Sequence, residues 1–166
     1  MKVIFEGFDG TGKSTLASKV SKALGIKTLH FSGKPYTRDE MDGRRKRCRS
    51  AALENSNLIF DRHSIISEHV YRDTGGTTFD AILEELIMCK IDAIIHCTGS
   101  ALTIQPQHDG TDRDAIETKK LKEHASGYLM MYDVLMSDLT RYIPVLQYDM
   151  TEPGDDDRVL QFLKTL

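Results

Sequence analysis

The sequence has no run of about 18 apolar residues, which excludes a membrane-spanning helix. Near its start it also lacks the apolar stretch that a secretory leader needs. It has no basic excess: 22 lysines and arginines against 25 aspartates and glutamates leave a net charge of −3. That balance is the opposite of the basic footprint of a dedicated nucleic-acid binder. Cysteine is scarce and odd in number. Cys48, Cys89 and Cys97 lack metal-ligand spacing and cannot all pair, which fits a reducing, cytoplasmic setting. His96, beside Cys97, is read as a strand residue and not as a ligand. Repeats, low-complexity tracts and linkers are absent. The 166 residues are therefore expected to form one domain, residues 1–166, with an ordinary globular composition.

What is present is an alternation of apolar runs and helical stretches. Strands are expected at Val3–Phe5, Lys27–Phe31, Asn57–Asp61, Ile91–Cys97 and Pro144–Tyr148. Helices are expected over 14–24, 38–54, 65–72 and 79–90, then along the tyrosine-bearing stretch from Leu121 to Leu139, and over 158–166. Strands alternating with helices predict an α/β three-layer sandwich, a five-stranded parallel sheet with helices on both faces. In such a sheet ligands bind beyond the carboxyl ends of the strands. A loop rich in Gly, Asp and Gln (105–113) lies between the fourth strand and the long helix.

The first of those strand ends carries GFDGTGKS, Gly7 to Ser14, which fits the phosphate-loop pattern G-x-x-x-x-G-K-[ST]. Gly7, Gly10 and Gly12 let successive N–H groups turn inward as an anion nest, and the following helix adds its positive end. Gly7, Gly10, Thr11, Gly12, Lys13, Ser14 and Thr15 are the candidate ATP-binding residues. Lys13 reaches the β- and γ-phosphates, and the Ser14 hydroxyl ligates Mg²⁺. The third strand, LIFD, ends in Asp61, a second candidate ligand for Mg²⁺ that also suits a helix cap. Arg62 follows it, a planar and permanently charged group near the phosphoryl being moved.

FEGFDGTGKSTL (Phe5 to Leu16) resembles the loop of thymidylate kinases. DRH (Asp61 to His63) is similar to that family's Asp-Arg motif, and SEHVY (Ser67 to Tyr71) to the stretch lining its substrate pocket. The resemblance covers nearly the whole chain and implies a P-loop NTPase fold. It assigns Asp9 to the 3′-hydroxyl of an acceptor deoxynucleotide and Arg62 to its phosphate. Arg113, in a lid at about 105–115, would stabilise charge on the group in flight. Lys13, Arg62, Arg113 and Asp61 are the catalytic candidates on this reading. Tyr71 is a further substrate-binding candidate. The implied partners are ATP with Mg²⁺ and a deoxynucleoside monophosphate, dTMP by default. Neither nucleic acid nor a membrane is implied, and members of the family are commonly homodimers.

Departures bear on base choice. Arg72 stands where the family often has a glutamine, and Ser32-Gly33-Lys34-Pro35 replaces its Arg-Glu-Pro. The lid is short, with a single arginine, and so compact a chain suits a phage or other virus. The run RRKRCR (44–49) reads as a solvated helix face or a nucleic-acid patch. The family's habit points Arg45 or Arg49 into the cleft toward the acceptor phosphate, with Lys34 as another candidate. Tyr128 and Tyr132 read as core, and His63 and His69 as pocket walls. The rival activity, phosphorylation of a nucleoside 5′-hydroxyl, wants a carboxylate base just after the second strand or in a Glu-Arg-Ser motif; neither is evident. A nucleotide switch would want Asn-Lys-x-Asp, which is absent.

Overall fold

The computed structural model describes residues 1–31, 37–71, 77–99 and 123–166. Five strands form one sheet: β1 (Lys2–Glu6), β2 (Thr28–His30), β3 (Leu58–Asp61), β4 (Ala93–Thr98) and β5 (Val145–Asp149). Their order is β2-β3-β1-β4-β5 and every pairing is parallel. The helices are α1 (Lys13–Leu24), α2 (Arg38–Glu54), α3 (Ser64–Tyr71), α4 (Phe79–Met88), α5 (Ala125–Leu139) and α6 (Asp155–Leu163). No described helix is long and apolar enough to cross a membrane.

The two-residue period of the strands divides the interior into two cores. Val3, Phe5, Ile59, Ile95 and Cys97 face α1 and α6 through Leu16, Ala17, Val20, Val159 and Leu163. Ile4, Leu58, Phe60 and Ile94 face α2 to α5, where Ile66, Leu86 and Tyr132 are fully buried. This is the three-layer sandwich that the alternation predicts. The central strands are covered on both faces, so they read as continuous apolar runs.

Boundaries shift where polar chemistry sets them. The last helix begins at Asp155, three residues earlier than expected, because Asp155, Asp156 and Asp157 fill its first turn and favour the positive helix end. The fourth strand begins at Ala93, since Ile91 and Asp92 are still the lead-in from α4. A capping box holds the start of α2, with Glu40 N–H donating to Thr37 Oγ1 at 3.2 Å and Thr37 N–H to Glu40 Oε2 at 3.1 Å. Lys34, Arg72, the turn at 73–76 and the expected lid with Arg113 lie outside the described residues.

Candidate active site

The phosphate loop joins β1 to α1 and lies against the carboxyl end of the sheet. Gly7, Gly10 and Gly12 all have positive φ, at 148°, 85° and 78°. At Gly7 no other residue fits, because a Cβ would stand 2.0 Å from the carbonyl oxygen of Cys97 on β4. Lys13 folds back over the loop, and its ammonium donates to the Phe8 carbonyl at 2.7 Å. Burial, then the charge of Arg62, lowers its pKa to about 8. Thr11 Oγ1 donates to the same carbonyl at 2.8 Å. Ser14 and Thr15 are exposed at the helix start. Beside them lies a cavity of about 500 Å³, bounded by Gly12, Thr15, Lys19, Tyr148, Met150 and Glu152 among others. The residues between β5 and α6 that wall it drew no attention in the sequence.

Asp61 closes β3 on the α1 face. His30 is its register partner on β2, and the two side chains meet at 2.7 Å, Nδ1 to Oδ2. The other oxygen, Oδ1, is buried with no hydrogen-bond partner among the described residues. An unpartnered carboxylate oxygen inside a protein is costly. With the exposed hydroxyl of Ser14, it is the donor chemistry that Mg²⁺ takes, oxygen only. His30 was missed, although its place at the end of the second strand matches that of Asp61 on the third.

Glu6, at the end of β1, was missed as well. It is 0% exposed and lies on the opposite face of the sheet. Its Oε1 accepts from His63 N–H at 2.6 Å and Ser67 Oγ at 3.3 Å. Its Oε2 accepts from Tyr132 hydroxyl at 3.2 Å and Gly7 N–H at 3.4 Å. Burial raises its pKa, against the lowering influence of Arg62, the His63 N–H and Lys13. The signal in the sequence was a carboxylate inside an otherwise apolar run.

Arg62 adopts a left-handed backbone, φ 74°, a conformation that costs a non-glycine residue about 1 kcal/mol or more. The turn directs its guanidinium across to the phosphate loop, where it donates to Asp9 Oδ1. It also lies 5.5 Å from the Tyr71 ring centroid and 3.5 Å from the Tyr71 hydroxyl. Asp9 therefore turns toward a cation, whereas the sequence suggested a neutral hydroxyl. Phe8, Tyr71, Tyr128 and Tyr132 form an aromatic wall beside this pair. Phe8 and Tyr128 stack at 6.0 Å, Tyr71 and Tyr128 meet at 5.0 Å, and Tyr71 meets Tyr132 edge-on at 6.0 Å. Tyr132 is core, as expected.

The arginine run corrects one expectation. Arg45 and Arg49 do share a side of α2, but that side faces α3 and α4, where carboxylates await them. Arg45 donates to Glu68 Oε2 at 2.6 and 3.0 Å and to Thr77 Oγ1 at 2.7 Å. Arg49 grips the buried Glu85 at 2.5 to 3.0 Å. Arg44 and Arg47 lie over the Phe31 ring at 5.6 and 5.4 Å. His63 is wholly buried, deeper than a pocket wall, and His69 meets the Thr77 carbonyl oxygen at 2.6 Å.

No protein-family model matches the sequence, and no curated protein does. Solved structures do match along the whole chain. A deoxyadenosine kinase from M. mycoides, with products dCMP and dCDP bound, superposes with a TM-score of 0.66 at 18% identity, covering 100% of both chains. The same kinase with dATP bound gives 0.63 at 19% identity, covering 99% of this chain and 100% of that one. The YorR protein from Bacillus subtilis, in complex with phosphorylated GDP, gives 0.70 at 18% identity over 99% of this chain and 94% of its own. At such identities the likeness is one of fold: the chain has the α/β fold of P-loop kinases.

Proposed function

We propose that the protein is a deoxynucleoside monophosphate kinase, moving the γ-phosphoryl group of ATP to the 5′-phosphate of an acceptor, with dTMP the first candidate. The observation that carries this is Arg62, a half-buried cation set by a strained backbone between the phosphate loop and an aromatic wall. A cation at that end of the cleft suits an acceptor that already bears phosphate. Such a phosphate is largely ionised near pH 7, its second pKa being about 6, so it needs no general base. Catalysis then rests on alignment and charge neutralisation by Lys13 and Arg62, with Arg113 of the 105–115 segment as the third cation. Mg²⁺, held by Ser14 and Asp61, would supply electrostatic stabilisation of the phosphates. The cavity beside Gly12 and Met150 is large enough for the donor's nucleoside.

The M. mycoides deoxyadenosine kinase structures favour a second reading, phosphorylation of a deoxynucleoside 5′-hydroxyl. That reaction wants a free carboxylate base. Glu6 already has four donors, Asp9 is paired with Arg62, and residues 32–36 contain no acid. Production of ADP from ATP and Mg²⁺ across a panel of deoxynucleosides and their monophosphates separates the two. Turnover with dTMP but not thymidine supports the first reading, and thymidine or deoxyadenosine turned over in place of the monophosphates sinks it.

A further inference from the structure

Behind Arg62, on the face of the sheet away from the phosphate loop's helix, three side chains that the proposed reaction does not use converge. His63 enters from the end of β3, while Glu85 and Cys89 stand four residues apart on one side of α4 and its C-cap. All three are buried, and one ligand atom from each lies within 4.8 Å of the others. Both ring nitrogens of His63 are buried without a hydrogen-bond partner among the described residues. Such a doubly orphaned imidazole calls for an explanation. The Cys89 thiol points at Glu85 Oε1, 3.8 Å away. Arg49 holds both oxygens of the Glu85 carboxylate, Nε donating to Oε1 at 3.0 Å and to Oε2 at 2.8 Å, as outer partners of metal-bound carboxylates do.

We propose that His63, Glu85 and Cys89 form a buried zinc site that staples the β3–α3 turn to α4. One nitrogen, one oxygen and one sulfur donor suit Zn²⁺ better than Mg²⁺ or Ca²⁺, which prefer oxygen alone. Tetrahedral zinc bonds of about 2.0–2.3 Å put ligand atoms roughly 3.5 Å apart. The cluster reaches that when its widest pair closes by about an ångström. On binding, the Cys89 proton leaves to solvent and the thiolate, carboxylate and imidazole each give a lone pair. Thiolate and carboxylate offset the 2+ charge, and the Arg49 cation paired with the same carboxylate leaves the cluster with one net positive charge. The site holds His63, and so fixes the residue before it, Arg62, in its left-handed conformation. The zinc site stands or falls independently of which acceptor is phosphorylated.

The test is metal content and cobalt substitution on the whole purified protein. After zinc loading and passage over a chelating resin, about one zinc per chain is expected. Replacement by Co²⁺ should give a thiolate-to-cobalt absorption band that Cys89→Ser and His63→Asn abolish. Cys97→Ser, altering a buried thiol on the other face of the sheet, should keep the band. Absence of both zinc and band in the wild type overturns the site, as does a band lost in Cys97→Ser but kept in Cys89→Ser. Should Cys89→Ser fail to fold, Asp61→Asn, which lacks the proposed magnesium ligand, still decides. Zn²⁺ raises its melting temperature and Mg²⁺ at equal concentration does not; equal shifts, or none, overturn the site.

Discussion

Two buried carboxylates close neighbouring strands of the same sheet, and the protein treats them in opposite ways. Glu6, at the end of β1, points toward α2–α5 and is met by four donors from the loop, the β3–α3 turn, α3 and α5. Asp61, at the end of β3, points toward α1 and has His30 on one oxygen and no partner on the other among the described residues. A buried acid with its hydrogen bonds filled is architecture, because every donor it satisfies would otherwise be orphaned. One left half-filled at a strand end, beside a phosphate loop, has an oxygen open to a ligand, the role proposed for it. The contrast can be broken by experiment.

The largest effect is expected at Asp61. Asp61→Asn keeps an acceptor for His30 and loses the charge, so turnover should fall by about 10³, equivalent to about 4 kcal/mol of barrier. Thermal stability should change little. A melting temperature that collapses with activity would make Asp61 a structural residue like Glu6. Glu6→Ala should behave inversely. It strands His63 N–H and the Tyr132 hydroxyl in the core and leaves Asp9 as the carboxylate facing Arg62 and Lys13. Unfolding by urea should show a loss of about 3 kcal/mol or more. A stable Glu6→Ala protein with only its turnover damaged would dissolve the distinction.

Asp9 tests the same logic on the loop itself. In the free protein it is the counter-ion of Arg62, and the proposed role is to hold the acceptor's 3′-hydroxyl. If that role is right, Asp9→Ala raises the acceptor KM by about tenfold, the value of one hydrogen bond to a charged group, and leaves ATP affinity alone. If Asp9 serves only to neutralise Arg62, its removal frees the guanidinium for phosphate and the acceptor KM falls.

How much of this was legible from the sequence follows from how far apart the parts lie. The phosphate loop is eight contiguous residues between a strand and a helix, so its place and the positive φ of its glycines could be read from the chain. The sheet was legible because the central strands are apolar runs of the right length. The partners of Glu6 come from residues 7, 63, 67 and 132, and no spacing rule connects them. His30 and Asp61 meet through strand register, which only the pairing of β2 with β3 reveals. Arg45 and Arg49 were read from their own helix, while the carboxylates that hold them sit on α3 and α4. Local chemistry shows in the chain, and partnership across elements does not.

The smallest effect concerns what sets the charge of Glu6. Burial raises its pKa above the ordinary 4.5, and Arg62, the His63 N–H and Lys13 pull it back only in part. A group whose folded pKa is raised takes up a proton on folding between its unfolded and folded values. Its contribution to stability is therefore fully present below about pH 4.5 and is lost as pH rises through the folded value. Glu6→Gln has no such proton. The stability difference, wild type minus Glu6→Gln, should fall as pH rises from 4.5 toward neutrality, by no more than about 1.4 kcal/mol per pH unit. Denaturant unfolding of both proteins over that range measures the slope. A difference that grows with pH would mean that the cations outweigh burial. Glu6 would then be an ionised partner of Arg62 and Lys13 throughout, and the two carboxylates would differ only in how many donors surround them.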